Sequence, residues 1–180
     1  MASLRSVFSF RRRPHERAGF SLYNAAVKAA REPQFFVGLG VPDTLDGRFD
    51  LVALFTALVI ERLRTAPDPG PDLAQAVFDA MFSDMDVTLR EMGVGDLSVG
   101  KKVRAMWEAF HGRALSYGAA LEIGDVTSLA DALTRNVWRG KPAHLDAPLA
   151  LAHHALRVHA ALARQSLDAL ARGQVGFPPP

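Results

Sequence analysis

The segment LVALFTALVI, residues 51–60, is the most apolar run in this chain of 180 residues. With its flanks it predicts a helix over residues 48–64 that carries apolar side chains around most of its circumference. A helix of this kind normally occupies the centre of a helical bundle. The run is interrupted by Thr56 and is too short to cross a membrane, which takes roughly 20 apolar residues.

Apolar residues recur at helical spacing along most of the chain, and glycines and prolines separate the segments. The pattern predicts a first helix from Ser21 to just before Pro33. Further helices are predicted over residues 72–92, 103–121, 127–138 and 146–172. No segment alternates apolar and polar residues over the length of a strand, and no internal repeat is visible. The sequence therefore predicts an all-α fold, a single-domain helical bundle of about six helices.

Positive charge is concentrated at the N-terminus. The first seventeen residues hold five arginines and one glutamate, a net charge of +4, which leaves −2 for the rest of the chain. We expect residues 1–19 to form a basic, disordered arm, residues 20–173 the helical domain and residues 174–180 a proline-rich tail. The alternative is that Arg11, Arg12 and Arg13 bind a membrane surface or a ribosome. A slightly acidic body is not the pattern of a DNA-binding domain.

The absence of cysteine limits the chemistry of the chain and its compartment. It excludes disulfides and thiolate metal sites, and it favours a reducing compartment. The N-terminus lacks the apolar centre of a secretory signal. An arginine- and serine-rich N-terminus is compatible with an organelle transit peptide, but the abundant alanine, arginine and proline are typical of a GC-rich bacterial genome.

The segment GDLSVGKK, residues 95–102, has the spacing of a phosphate-binding loop. Such a loop needs a preceding strand and a final Ser or Thr for magnesium, whereas here a predicted helix precedes it and Lys102 takes the final position. A nucleotide-binding enzyme that uses this loop remains an alternative hypothesis. The simpler interpretation is a connection between two helices whose glycines permit unusual backbone angles.

No other pattern predicts an active site, a metal or a cofactor. His153 and His154 lie six and five residues before His159, so neither pair shares a helix face as metal ligands would. The acidic residues of the 72–92 helix are best interpreted as solvated positions on an amphipathic helix. We therefore expect no catalytic, cofactor-binding or metal-binding residues.

Several short strings of the sequence together resemble the ubiquinol-cytochrome c chaperone family, assembly factors of the cytochrome bc1 complex. The resembling strings are VPDT (41–44), GRF (47–49), FSDMD (82–86) and LREMGVGD (89–96). Single residues that add to the resemblance are Tyr23, Arg31, Pro33, Lys101, Met106, Phe110, Gly112, Arg113 and Tyr117. The resemblance covers residues 22–121, weakens toward the last helices, and is strongest to the bacterial branch.

The resemblance implies an all-helical chaperone, without catalytic residues, that receives newly made cytochrome b early in bc1 assembly. Mitochondrial members of the family act with a small partner subunit near the ribosomal tunnel exit, which makes such a subunit and the ribosome further candidate partners. A holder of a membrane-embedded client must work where that client is inserted. We therefore expect a cytoplasmic location at the inner face of the cytoplasmic membrane, or the mitochondrial matrix in a eukaryote.

Two places combine apolar anchors with charges, as a client-binding face should. The first lies in the predicted linker after the first helix and comprises Phe35, Phe36, Val41, Pro42 and Asp43. The second surrounds the glycine-rich connection and comprises Arg90, Glu91, Asp96, Lys101 and Lys102. The alternatives are structural: burial for the two phenylalanines, and ion pairs or helix caps for Arg90, Glu91 and Asp96.

Overall fold

The computed structural model describes residues 15–180, which form eight helices packed around one hydrophobic core. The six long helices are α1 (Glu16–Ala30), α3 (Leu45–Arg64), α4 (Gly70–Glu91), α5 (Asp96–Ile123), α6 (Val126–Val137) and α7 (Ala147–Ala163). Two helices of five residues each are α2 (Pro33–Val37) and α8 (Leu167–Ala171). The described part of the chain contains no β-strand, and the predicted all-α class is confirmed.

Helix α3 is the centre of the bundle, as its apolar circumference predicts. Twelve of its 20 residues are buried, and α1, α4, α5, α6 and α7 all pack against it. The helix begins after Thr44, whose side chain accepts a hydrogen bond from the Gly47 backbone N–H at 3.2 Å. This bond satisfies one of the N–H groups that a helix start leaves without a partner.

Helix α1 begins at Glu16, five residues before the predicted start at Ser21. The Ser21 hydroxyl donates to the Arg17 carbonyl at 3.0 Å, so it lies inside the helix and does not cap it. The early turns are held by packing, because Ala18 and Gly19 are buried and a Cβ on Gly19 would lie 2.6 Å from the Ala76 backbone. Residues 16–19 of the predicted arm are therefore helical, and residues 1–14, with Arg11, Arg12 and Arg13, lie outside the described residues.

The segment 146–172, predicted as one helix, is divided into α7 and α8. The division falls at Ser166, whose side chain accepts a hydrogen bond from the Ala169 backbone N–H and caps α8. After α8 the segment 174–180 lies against the bundle. The Gln165 side chain makes two hydrogen bonds of 2.8 Å to the Gly176 backbone, and the Phe177 ring centroid is 5.7 Å from that of Phe55.

Between residues 15 and 180, no helix combines the length and the apolar character needed to cross a lipid bilayer.

Candidate functional site

An open groove lies between α1, α3, α4 and α5, with a volume of about 490 Å³. Its apolar lining comes from all four helices and is formed by Val27, Leu45, Phe49, Val52, Met85, Leu89, Met92, Ala105, Met106 and Ala109. A concave apolar surface of this size is a common form of binding site. The groove combines an apolar floor with charged edges.

Small residues on α5 leave the space that the groove occupies. Phe110 anchors α5 to α4, because its ring centroid lies 6.0 Å from Phe78 and 6.1 Å from Phe82. On the neighbouring stripe of α5, Ala105 and Ala109 face the groove with only a methyl group each. Helices α4 and α5 therefore pack against each other at the aromatic cluster, and beside this cluster a gap remains between them.

Methionine is over-represented in the groove. Met85, Met92 and Met106 line it, which is three of the five methionines in the whole sequence. The methionine side chain is flexible and polarisable, so it can adapt to apolar partners of different shape, and it is frequent on surfaces that bind varied helices. The floor of the groove is therefore suited to apolar ligands of different shapes.

The edges of the groove carry more basic than acidic side chains. The basic residues are Arg31, Arg48, Lys102, Arg113 and Arg139, and the acidic ones are Asp46 and Asp84. The Tyr23 hydroxyl donates to Asp84 at 2.7 Å, and burial together with this bond raises the pKa of Tyr23 above its usual range. This hydrogen bond joins α1 to α4 along one wall of the groove.

A buried carboxylate, Asp50, pairs with two arginines that line the groove, Arg113 and the half-exposed Arg139. Asp50 has no exposed surface, and its two carboxylate oxygens lie 2.8 Å from guanidinium nitrogens of Arg113 and Arg139. Burial raises the pKa of Asp50 to about 6, although the two nearby arginines act in the opposite direction. The Arg113 guanidinium also lies over the Phe49 ring at 5.4 Å.

The backbone of Arg139 has an unusual conformation. Its φ is 54°, in the left-handed region that residues other than glycine rarely adopt, and Gly140 follows with φ 80°. The two residues reverse the chain after α6 and carry the Arg139 side chain to Asp50. Backbone strain of this kind persists where the surrounding contacts hold it, and here the ion pair to a buried carboxylate is such a contact.

The family model described as ubiquinol-cytochrome C chaperone matches residues 38–177. The chain belongs to the ubiquinol-cytochrome c chaperone family. The solved structure of the Cbp3 homolog from Brucella abortus is similar over 94% of each chain, with 34% sequence identity and a TM-score of 0.82.

Vertebrate relatives of the chaperone family are more distant. The ubiquinol-cytochrome c reductase complex assembly factor 1 of Xenopus laevis is 25% identical over 120 residues, which are 67% of this chain and 60% of the Xenopus protein. The human assembly factor 1 is 25% identical over 132 residues, which are 72% of this chain and 44% of the human protein. The chain thus spans about half the length of these relatives.

Three of the four strings that carry the family resemblance, GRF, FSDMD and LREMGVGD, contribute residues to the groove. Tyr23, Phe49, Met85, Met106 and Arg113 come from five separate places in the sequence and all line it. Sequence reasoning identified these residues as family features without bringing them together, because a groove formed by four helices has no local signature.

The structure corrects the prediction for Phe35 and Val41, which have exposed fractions of 1% and 2%. Phe35 packs against Phe55 and His154, with ring centroids 5.6 and 5.4 Å away. The linker is further fixed by the Trp138 indole N–H, which donates to the Gly40 carbonyl at 3.1 Å. Phe35 and Val41 therefore belong to the core of this chaperone-family fold and cannot contact a client directly.

The other residues predicted in the linker remain accessible. Phe36 is half-buried, while Pro42 and Asp43 are exposed. Asp43 forms an exposed ion pair of 2.6 Å with Arg48, one of the groove residues, and the pKa of Asp43 is lowered by this hydrogen-bonded contact. None of these three residues lines the groove.

The second predicted set, around the connection between α4 and α5, contains residues that link the two helices and residues that are exposed. Arg90 bonds to Asp86 at 2.6 Å and also pairs with Asp96, so it ties the end of α4 to the start of α5. Glu91, Lys101 and Lys102 are exposed. Of all ten residues predicted to bind a partner, Lys102 is the one that lines the groove.

The spacing that resembles a phosphate loop lies mostly in a helix. Helix α5 starts at Asp96, so Gly100, Lys101 and Lys102 are helical and their backbone N–H groups are not arranged as a cradle. Helix α4 precedes them where a phosphate loop follows a strand. Among residues 15–180, no group of three or more His, Asp and Glu side chains is close enough to hold a metal ion.

The triad of Asp50, Arg113 and Arg139 is the main feature that sequence reasoning missed. One signal for it is present, since Asp50 is an acidic residue at the start of an otherwise apolar stretch of a central helix. A charge at such a position needs a partner. The identity of the two arginines depends on how α5 and α6 fold back, which the spacing does not reveal.

Proposed function

We propose that this chain is an assembly chaperone of the cytochrome bc1 complex and that it holds newly made cytochrome b. The observation that carries the proposal is the convergence of three of the family's sequence strings on one apolar, methionine-lined groove. The relatives named as assembly factors of ubiquinol-cytochrome c reductase support the same process. Inside the groove, no arrangement of side chains resembles a set of catalytic groups.

The chemistry of the groove fits a client of this kind. Cytochrome b is a membrane protein, so its segments are apolar before they enter the bilayer and need a temporary apolar contact. The groove offers such a contact, while its basic edges discourage a second copy of the same groove from docking there. The proposal places the chain at the inner face of the cytoplasmic membrane, where the client is inserted.

A deletion strain tests the proposed function. We expect the strain to lose cytochrome b, measured by reduced-minus-oxidised haem spectra, and bc1 activity, while cytochrome oxidase activity is retained. Complementation with the wild-type gene should restore both. A variant with Met106→Asp should restore them poorly, because a carboxylate on the groove floor is costly to cover with an apolar segment.

The matched control for the complementation is Leu115→Asp. Leu115 is on the same helix and 64% exposed, but it does not line the groove. We expect this control to restore cytochrome b as well as the wild type does. Normal cytochrome b in the deletion strain would contradict the proposed function.

A further inference from the structure

We infer that the groove binds one face of an amphipathic helix whose apolar stripe is bordered by acidic residues. The inference rests on the proposed function, because it specifies the kind of polypeptide segment that the groove receives. The inference follows from two features of the groove, the size of its apolar surface and the charges at its edges.

The apolar surface extends beyond the groove itself. Leu45 and Met92 lie at its edges with exposed fractions of 53% and 56%. A small ligand held on the floor would leave both side chains in water, whereas a helix of about 10 Å diameter laid along the groove would cover them. Apolar helices that lie in grooves between other helices are a common mode of peptide recognition.

The charges at the edges of the groove determine which charged residues should flank the apolar stripe of the bound helix. Arg31 and Lys102 project from opposite walls, one at the end of α1 and one on α5, and neither has an ion-pair partner within residues 15–180. Arg113 and Arg139 share the single carboxylate of Asp50, so these three side chains together carry a net charge of +1, with Asp46 as the nearest further carboxylate in the groove lining. Acidic residues on the occupant would be attracted to all three places.

The same charges argue against the chain's own N-terminal segment as the occupant. The first seventeen residues carry a net charge of +4, which the basic edges would repel. A second copy of the chain is disfavoured for the same reason, because it would present basic edges to basic edges. The observations therefore favour an acidic, helical segment of another protein.

Synthetic peptides test the inference directly with the full chain. The first is a helical peptide of about 18 residues with leucine and phenylalanine on one face and glutamate on both borders. The second has lysine at every glutamate position. Fluorescence anisotropy of labelled peptides gives the affinity, and circular dichroism establishes that each protein variant is folded.

Two neighbouring lysines provide a matched pair of variants. Lys102 lines the groove and Lys101 does not, although both are exposed on the first turns of α5. We expect Lys102→Glu to weaken the acidic peptide by roughly tenfold and to strengthen the basic peptide. We expect Lys101→Glu to change either affinity by less than about twofold, since Lys101 does not line the groove and its exposed charge is screened by salt.

Three results would overturn the inference: equal binding of the acidic and basic peptides, equal effects of the two lysine variants, or no binding at about 100 µM peptide. The proposed function is tested separately, by whether cytochrome b made in a cell-free reaction co-purifies with the full chain. If cytochrome b co-purifies but the peptides fail, the chaperone function stands and the groove is not its binding site.

Discussion

Asp50 lies without exposed surface between the guanidinium groups of Arg113 and Arg139. Because burial disfavours the charged carboxylate, the pKa of Asp50 is raised to about 6 in the folded protein, above its value in the unfolded chain. Between these two pKa values the folded state binds more protons than the unfolded state. The free energy of unfolding therefore rises, through this group, as the pH falls toward and below 6.

We predict that Asp50→Asn removes this pH dependence. Moving from about pH 7.5 to about pH 5.5 should stabilise the wild type by about 1 kcal/mol relative to the variant, as measured by urea unfolding. Groups that titrate in both proteins cancel in the comparison. A wild type that loses stability relative to the variant on acidification would contradict the prediction.

His154 is another buried polar residue, and no sequence pattern distinguishes it from its exposed neighbour His153. Burial lowers the pKa of His154 to about 4, and the charge of Arg157 acts in the same direction. The ring is uncharged at neutral pH and packs among Phe35 and Phe55. The His154 ring therefore fills space in the core.

At the scale of helices, the close approach of α1 to α4 near Ala76 requires a glycine at position 19. A Cβ on Gly19 would lie 2.6 Å from the backbone of Ala76, too close for two helices to keep their present separation. Gly112 in α5 is different, because a Cβ there would meet no atom within 4 Å. A glycine-to-alanine substitution would therefore add a methyl group to a crowded contact at Gly19 and to open space at Gly112.

We predict that Gly19→Ala lowers the free energy of unfolding by about 1–3 kcal/mol through overpacking. Gly112→Ala should raise it by about 0.5–1 kcal/mol, because alanine favours the helix and its methyl group enters open space. Urea unfolding of both variants measures the difference. A stabilised Gly19→Ala variant would show that α1 does not approach α4 as closely as described.

The helices themselves were largely predictable, and the exceptions have physical causes. The apolar circumference of α3 identified it as central, and the spacing of apolar residues placed both ends of α4 and α6 within two residues. The start of α5 was predicted seven residues too late, because Gly95 and Gly100 indicated a loop where the helix has already begun at Asp96. The start of α1 was missed because its first turn, with Ala18 and Gly19, has no apolar periodicity and is held by α4. The end of α7 was missed because the sequence keeps helical spacing across Ser166, where a cap restarts the helix.

On the scale of the whole molecule, the last seven residues complete the bundle. The Gln165 amide holds the Gly176 backbone with two hydrogen bonds, and Phe177 packs against Phe55 at the core. A proline-rich composition alone predicted only a tail. The docking could not be predicted, since it depends on an aromatic surface formed by α2, α3 and α7.

We predict that removing residues 174–180 destabilises the fold by about 2–4 kcal/mol, from the lost hydrogen bonds and the exposed aromatic surface. For a domain of this size the loss corresponds to a drop of roughly 4–16 °C in the midpoint of thermal unfolding, measured by circular dichroism. Removing only Pro179 and Pro180, which are exposed, should change the midpoint little. An unchanged midpoint after the longer truncation would mean that the tail does not dock in solution.

The candidate site was predicted only in fragments, since Lys102 and residues of three family strings line the groove while the other predicted binding residues do not. Its thioether lining has a consequence of its own. Met92 is 56% exposed, whereas Met81 is fully enclosed in the core. Oxidants would therefore convert the groove methionines to polar sulfoxides before they reached the interior. Under the proposed function, oxidation of these side chains would weaken the binding of apolar segments while the fold stayed intact, and reductases that repair methionine sulfoxide would restore the binding.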